Sequence, residues 1–134
     1  MIIDKQLEFS SAQAETTVAA HDSTNIVNMT AAGNAGEELY LVIRVETALT
    51  SDGAATLQVK FISDSAIGFA TAPVTHFDTG AVTYTTFVDK YTICRMRLPT
   101  GVKQYCKVTY TIGTAALTAG KFDAFLTKNV QTNE

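Results

Sequence analysis

Apolar and polar residues alternate between Tyr91 and Thr114, YTICRMRLPTGVKQYCKVTYTIGT. That period of two limits the fold more than any other feature of the chain. Cys94, Met96 and Leu98 alternate with Ile93, Arg95 and Arg97. Beyond Leu98-Pro99-Thr100-Gly101, Cys106, Val108, Tyr110 and Ile112 alternate with Lys107, Thr109 and Thr111. Successive side chains of a strand point to opposite faces, so each run turns one row to a core and the other to a surface. Proline fixes φ and glycine accepts positive φ, so the residues between the runs read as a tight turn and the segment as a hairpin.

The same pattern recurs along the chain. In Glu38–Thr47, Leu39, Leu41, Ile43 and Val45 share one face, and Tyr40, Val42, Arg44 and Glu46 the other. The second face is only partly polar, so both faces are expected to be covered near the middle. Ser51-Asp52-Gly53 is a turn, and Leu57, Val59 and Phe61 line the next strand; the short connection predicts that these two strands pair antiparallel. Two further strands, Val74–Phe77 and Ala81–Val88, flank Asp78-Thr79-Gly80. A last strand at Gly120–Lys128 places Phe122, Ala124 and Leu126 on one side. Asn25–Met29 is a short strand, Ala31–Gly36 a loop, and the tail from Asn129 loose. Helical patterning is nearly absent, and Phe9–Ala20 reads as an extended arm or short turn. About seven or eight short antiparallel strands predict an all-β sandwich or barrel, in a single domain spanning 1–134.

Composition narrows the function. Of the 134 residues 46% are hydrophobic and 17% charged, with a net charge of −3. Nucleic acid is not an expected partner, because no sheath of Lys and Arg exists to neutralise phosphates. No apolar run is long enough for a membrane span. The first residues lack the basic flank and apolar stretch of a secretory signal.

With a three-residue loop, the predicted hairpin sets Cys94 opposite Cys106; a four-residue loop separates them. The pair is then either a cross-strand disulfide or metal pair, or two buried thiols acting as small hydrophobes, and the second reading is preferred. In the first register Ile93 faces Lys107, Arg95 faces Tyr105 and Arg97 faces Lys103. Arg95, Arg97, Lys103, Tyr105 and Lys107 thereby become candidate partner contacts on one basic face. The competing reading is an edge kept soluble by its charge.

No catalytic, cofactor or metal residue is assigned. His21-Asp22-Ser23 spells a triad in a row, but triads converge in space rather than in sequence, so a polar turn is the better reading. His76 and Asp78 on one strand face make half a site without a third ligand. Glu37 and Glu38 are adjacent, so at least one is expected to be solvated, and no phosphate loop or nucleophile elbow occurs. Catalysis is therefore not expected. A carbohydrate-binding module on a virion surface is the alternative, with Tyr40, Tyr84, Tyr91 and Tyr105 as its aromatics.

Taken together, the chain resembles the capsid cement, or decoration, proteins of tailed phages, of the Bordetella-phage type. The resemblance is carried by Asp4-Lys5-Gln6, Glu8-Phe9-Ser10 and Gln13-Ala14, then by Leu39-Tyr40-Leu41-Val42, Val45 and Thr47-Ala48. It continues through Leu98-Pro99-Thr100-Gly101, Gln104-Tyr105, Tyr110-Thr111-Ile112-Gly113-Thr114 and Ala119-Gly120. Cys94 and Cys106 stand where the family is expected to have aliphatic residues. The resemblance implies a β jelly roll without enzymatic activity or cofactor. It implies a virion protein, made in the host bacterial cytoplasm, that sits on the capsid exterior and bridges major capsid protein subunits. A homodimer is the expected assembly and a trimer its competitor.

Overall fold

A computed structural model describes residues 8–28, 40–71, 73–98 and 102–127. Among them are ten strands: β1 Glu8–Ala14, β2 Ala19–Asp22, β3 Val27–Asn28, β4 Tyr40–Thr50, β5 Thr56–Asp64, β6 Val74–Asp78, β7 Val82–Thr83, β8 Thr92–Arg97, β9 Tyr105–Gly113 and β10 Ala119–Thr127. A single 3-10 turn at Tyr84–Thr86 completes the described elements. The loop read at Ala31–Gly36, the Pro99–Gly101 turn, Glu37, Glu38 and the tail from Asn129 lie outside the described residues.

The strands form an all-β sandwich of two antiparallel sheets. Sheet A runs β1-β10-β4-β8. Sheet B runs β2-β9-β5-β6, with β3 also beside β9 and β7 beside β5. The pairing is nested: β1 lies against β10, β2 against β9, β4 against β8 and β5 against β6.

The predicted faces meet in the core. Leu41, Ile43 and Val45 of β4 and Phe122, Ala124 and Leu126 of β10 face Leu57, Val59 and Phe61 of β5 and Cys106, Val108, Tyr110 and Ile112 of β9. β-Branched and aromatic side chains suit this pleated, fully dry surface. Phe9 meets Phe61 edge to face at 5.8 Å, and Tyr110 stacks on Phe122 at 4.7 Å, so rings from both sheets lock the two layers.

Two expectations about pairing are corrected. β8 and β9 are not a hairpin: β8 pairs with β4, setting Cys94 beside Ile43, and β9 pairs with β5 in the other sheet. β4 and β5 likewise belong to different sheets. β6 and β7 both pair with β5, and the strand expected over Ala81–Val88 shrinks to Val82–Thr83 before the 3-10 turn. The physical reason is common to both pairings. Alternation decides which face of a strand is buried, but a short connection can either fold back within a sheet or cross to the facing one. Phe9–Ala20 also differs from the arm or turn expected of it. It supplies β1 and the start of β2, with Phe9 buried in the core.

Candidate interaction surfaces

The five candidate contact residues fall on different parts of the molecule. Arg95 and Arg97 alternate with core-facing Cys94 and Met96, so they project from the outer face of sheet A, opposite Val42 and Tyr40 in register. Tyr105 and Lys107 alternate with Cys106 and Val108 and project from the outer face of sheet B. Lys103 lies in the connection between the sheets, where its amide donates to Ser63 Oγ at 3.1 Å. The single basic face on one hairpin is therefore replaced by cationic positions on both broad faces.

The outer face of sheet A has its own buried layer, as its mixed pattern predicted. Val42 and Phe125 are register partners outside the core, yet they are 3% and 0% exposed. Glu8 on β1 and Arg95 on β8 extend that row across all four strands. The Arg44 guanidinium lies 5.6 Å over the Phe125 ring, and its Nε is 3.5 Å from Asp123 Oδ2. Asp123 Oδ1 also accepts the Ala12 amide at 2.6 Å. Ala12 has φ 49°, a left-handed conformation within the broken register of β1, and the carboxylate holds it there.

On sheet B, the Lys107 ammonium sits 3.1 Å from Asp22 Oδ1 and 4.5 Å over the Phe69 ring. Phe69 belongs to the loop after β5 and has φ 54°. Buried Asp64 closes that loop by accepting the amides of Ser65 at 2.6 Å and Thr71 at 3.1 Å. Carboxylate acceptors replace the ladder bonds that a loop lacks. Each face thus carries one ion pair braced by an aromatic ring, Arg44 with Asp123 and Phe125 on sheet A and Lys107 with Asp22 and Phe69 on sheet B.

His21, Asp22 and Ser23 do not converge. His21 Nδ1 is 3.0 Å from Glu15 Oε2, and its Nε2 is 2.8 Å from the Thr17 carbonyl. Asp22 turns to Lys107, and the Ser23 hydroxyl donates to the Asn25 carbonyl at 2.9 Å. His76 and Asp78 do not share a face either, which corrects the expected pairing. The register of β6 breaks between Phe77 and Thr75. The extra residue, His76, is turned toward Phe61 and Ser63, with Nε2 2.7 Å from Ser63 Oγ. Asp78 stays on the other side, bonded to the Gln58 amide at 2.8 Å and the Gly80 amide at 2.8 Å.

The Ser63 hydroxyl accepts from Lys103 and is left to donate to a neutral imidazole. Burial, and then the Lys103 charge, hold His76 below the ordinary value of 6.5. The fold therefore prefers uncharged His76, and its contribution to stability is full above pH 6.5 and lost as pH falls through the lowered value. Wild type should lose melting temperature on acidification below pH 6.5 more steeply than His76→Gln, whose amide keeps a partner for Ser63 without titrating. Parallel slopes in a thermal melt series would remove His76 as the cause.

Cys94 and Cys106 are both free and buried, one in each sheet. Burial pushes their thiols up to about 11 and about 12 respectively, so neither carries appreciable thiolate near neutral pH. This agrees with the preferred reading of small hydrophobes. The four tyrosines proposed for carbohydrate are dispersed. Tyr40 is on sheet A, Tyr105 on sheet B, and Tyr84 and Tyr91 flank the connection before β8. Among the described residues no group of three or more His, Cys, Asp or Glu side chains is arranged to hold a metal ion.

The network that sequence reasoning missed lies at the β1–β2 edge of the sandwich. Tyr110 donates to Ser10 Oγ at 3.0 Å, and Ser10 donates to Gln13 Oε1 at 2.6 Å. The same Gln13 oxygen accepts the Thr24 amide at 2.9 Å, while its Nε2 donates to Glu15 and to the Asp22 carbonyl. A polar ladder thus ties β1 of sheet A to β2 and β9 of sheet B. The polar character of Ser10 and Gln13, which made the segment look like an arm, is what this inter-sheet tie requires.

The fold and its surfaces define a two-sheet antiparallel β protein with an ion pair braced by an aromatic ring on each outer face. A family model described as Bbp16 matches residues 9–126, so the chain belongs to the Bbp16 family, whose name points to a Bordetella phage protein and states no function. No curated protein matches the chain.

Proposed function

We propose that this protein is a structural capsid cement, or decoration, protein. It sits on the outer surface of a tailed-phage head and bridges neighbouring major capsid protein subunits as a homodimer. The observation that carries the reading is the division of the candidate contact residues between the two broad faces: the cations Arg95 and Arg97 on sheet A, and Lys107 with the neutral Tyr105 on sheet B. A bridge needs separate contact surfaces on one stiff body. Two modest contacts on such a body act at high effective concentration, so retention exceeds what either contact gives alone. The nested strand order supports a jelly roll, and the family name is compatible with a phage structural role.

The test is binding of purified protein to undecorated mature heads. Saturable occupancy is expected. Reversing charge on one face (Arg95→Glu with Arg97→Glu, or Lys107→Glu) should weaken retention about tenfold or more, because either change removes one half of a bridge. Absence of saturable binding at every ionic strength tried would overturn the reading. A positive titration from a glycan panel in its place would favour the carbohydrate-binding alternative.

A further inference from the structure

His21 is held at both ring nitrogens, and its partners make different demands on the proton. Nδ1 is 3.0 Å from Glu15 Oε2, and a carboxylate only accepts, so Nδ1 carries a hydrogen. Nε2 is 2.8 Å from the Thr17 carbonyl oxygen and 3.2 Å from Thr17 Oγ1. The carbonyl also only accepts, whereas the hydroxyl can donate. When Nε2 carries a hydrogen, it donates to the carbonyl. When Nε2 is bare, its lone pair faces the carbonyl oxygen, and the donor within reach is the Thr17 hydroxyl.

The ring sits where this choice has a consequence. Glu15 and Thr17 lie in the connection between β1 and β2, and His21 lies on β2. The Thr16 carbonyl accepts the Leu117 amide at 2.9 Å, so that peptide is fixed from outside the connection. The next carbonyl, that of Thr17, is held by His21. Glu15 Oε1 accepts Gln13 Nε2 at 2.8 Å, and Gln13 joins Ser10 and Tyr110, so the carboxylate that anchors Nδ1 is itself tied to the inter-sheet ladder. The other charged or titratable groups nearby are directed elsewhere. Asp22, next on β2, pairs with Lys107, and Tyr110, opposite His21 on β9, gives its hydroxyl to Ser10. On β10, Asp123 pairs with Arg44, and Lys121, opposite Ala14, is exposed.

We propose that His21 is a proton-operated latch on the β1–β2 connection. With both nitrogens protonated, the ring bridges the Glu15 carboxylate and the Thr17 carbonyl and closes the connection. The proton lost to solvent leaves from Nε2, because Glu15 keeps the hydrogen on Nδ1. The neutral ring then accepts from the Thr17 hydroxyl. The Thr17 carbonyl exchanges its partner for water, and the peptide between Thr17 and Val18 is released. Val18 is 54% exposed, so packing does not hold that peptide in place. The latch is a property of the single chain and is independent of the capsid reading.

Nuclear magnetic resonance of the full chain, followed from about pH 5 to about pH 8, where an imidazole ordinarily exchanges its proton, tests it. On deprotonation the His21 Nε2 signal is expected to move to the bare-nitrogen range while Nδ1 stays in the N–H range. The Thr17 carbonyl carbon should shift with the same midpoint. Glu15→Ala removes the anchor on Nδ1, so the neutral ring can keep its hydrogen on Nε2 and the Thr17 carbonyl keeps its donor throughout. The response of that carbonyl should then fall several-fold. Glu15 is 24% exposed and lies outside the core, so the variant is expected to fold, and the tautomer of wild type is decisive without it. A neutral wild-type ring with its hydrogen on Nε2 would overturn the latch. So would a Thr17 carbonyl that ignores the ring, or one that responds equally in Glu15→Ala.

Discussion

Tyr110→Ala is expected to destabilise the protein by about 4 kcal/mol, enough to leave a domain of this size barely folded. Tyr110 is fully buried, and its ring stacks on Phe122 of the opposite sheet at 4.7 Å. Truncation leaves a cavity between the layers that neither sheet can close without moving the other. It also removes the hydroxyl that donates to Ser10 and, through it, connects to Gln13. Tyr110→Phe separates the two contributions. It keeps the stack and deletes only the first link of the polar ladder, so about 1 kcal/mol is expected. Denaturant midpoints at unchanged m-value measure both. Equal losses in the two variants would mean that the hydroxyl carries the effect and the stack does not.

The contrast between Tyr110 and its surroundings explains what was legible in the sequence. Its burial could be read directly, because Cys106, Val108, Tyr110 and Ile112 alternate with polar residues and alternation reports the face a strand buries. Its partners could not. Period two is satisfied equally by a neighbour in the same sheet and by one in the facing sheet, so β8 reads as the neighbour of β9, whereas it pairs with β4. That error carried the candidate contacts with it, since Arg95 and Tyr105 face each other only if the hairpin exists. A second loss came from bulges. His76 is one inserted residue, and no composition signal marks it, yet it moves a side chain from one face to the other and parts it from Asp78. A third came from polarity. Ser10 and Gln13 look like solvent residues in the sequence, whereas they satisfy one another between two sheets, where an unpaired polar atom would be costly.

Gly120→Val should cost about 3 kcal/mol or more, the second large effect, and it arises from backbone rather than from lost contacts. Gly120 lies where β10 slips its register against β4: Ala119 is opposite Thr50, but Lys121 is opposite Thr47. The slip needs φ 153°, a conformation that L side chains rarely adopt. A β-carbon there would also stand 3.0 Å from Leu49 Cγ and 3.2 Å from its Cδ1. Leu49 is itself buried in the core, so it cannot yield without opening the layer. Gly120→Ala separates the two costs. It meets the same strained φ and the first contact, but not the clash of a branched side chain, and should lose about 1–2 kcal/mol. If instead alanine is neutral and only valine destabilises, the backbone accepts a side chain there and the packing against Leu49 is the whole constraint. If both are neutral, the register slip is free to relax, and β10 does not depend on glycine to pass from β4 to the turn that precedes it.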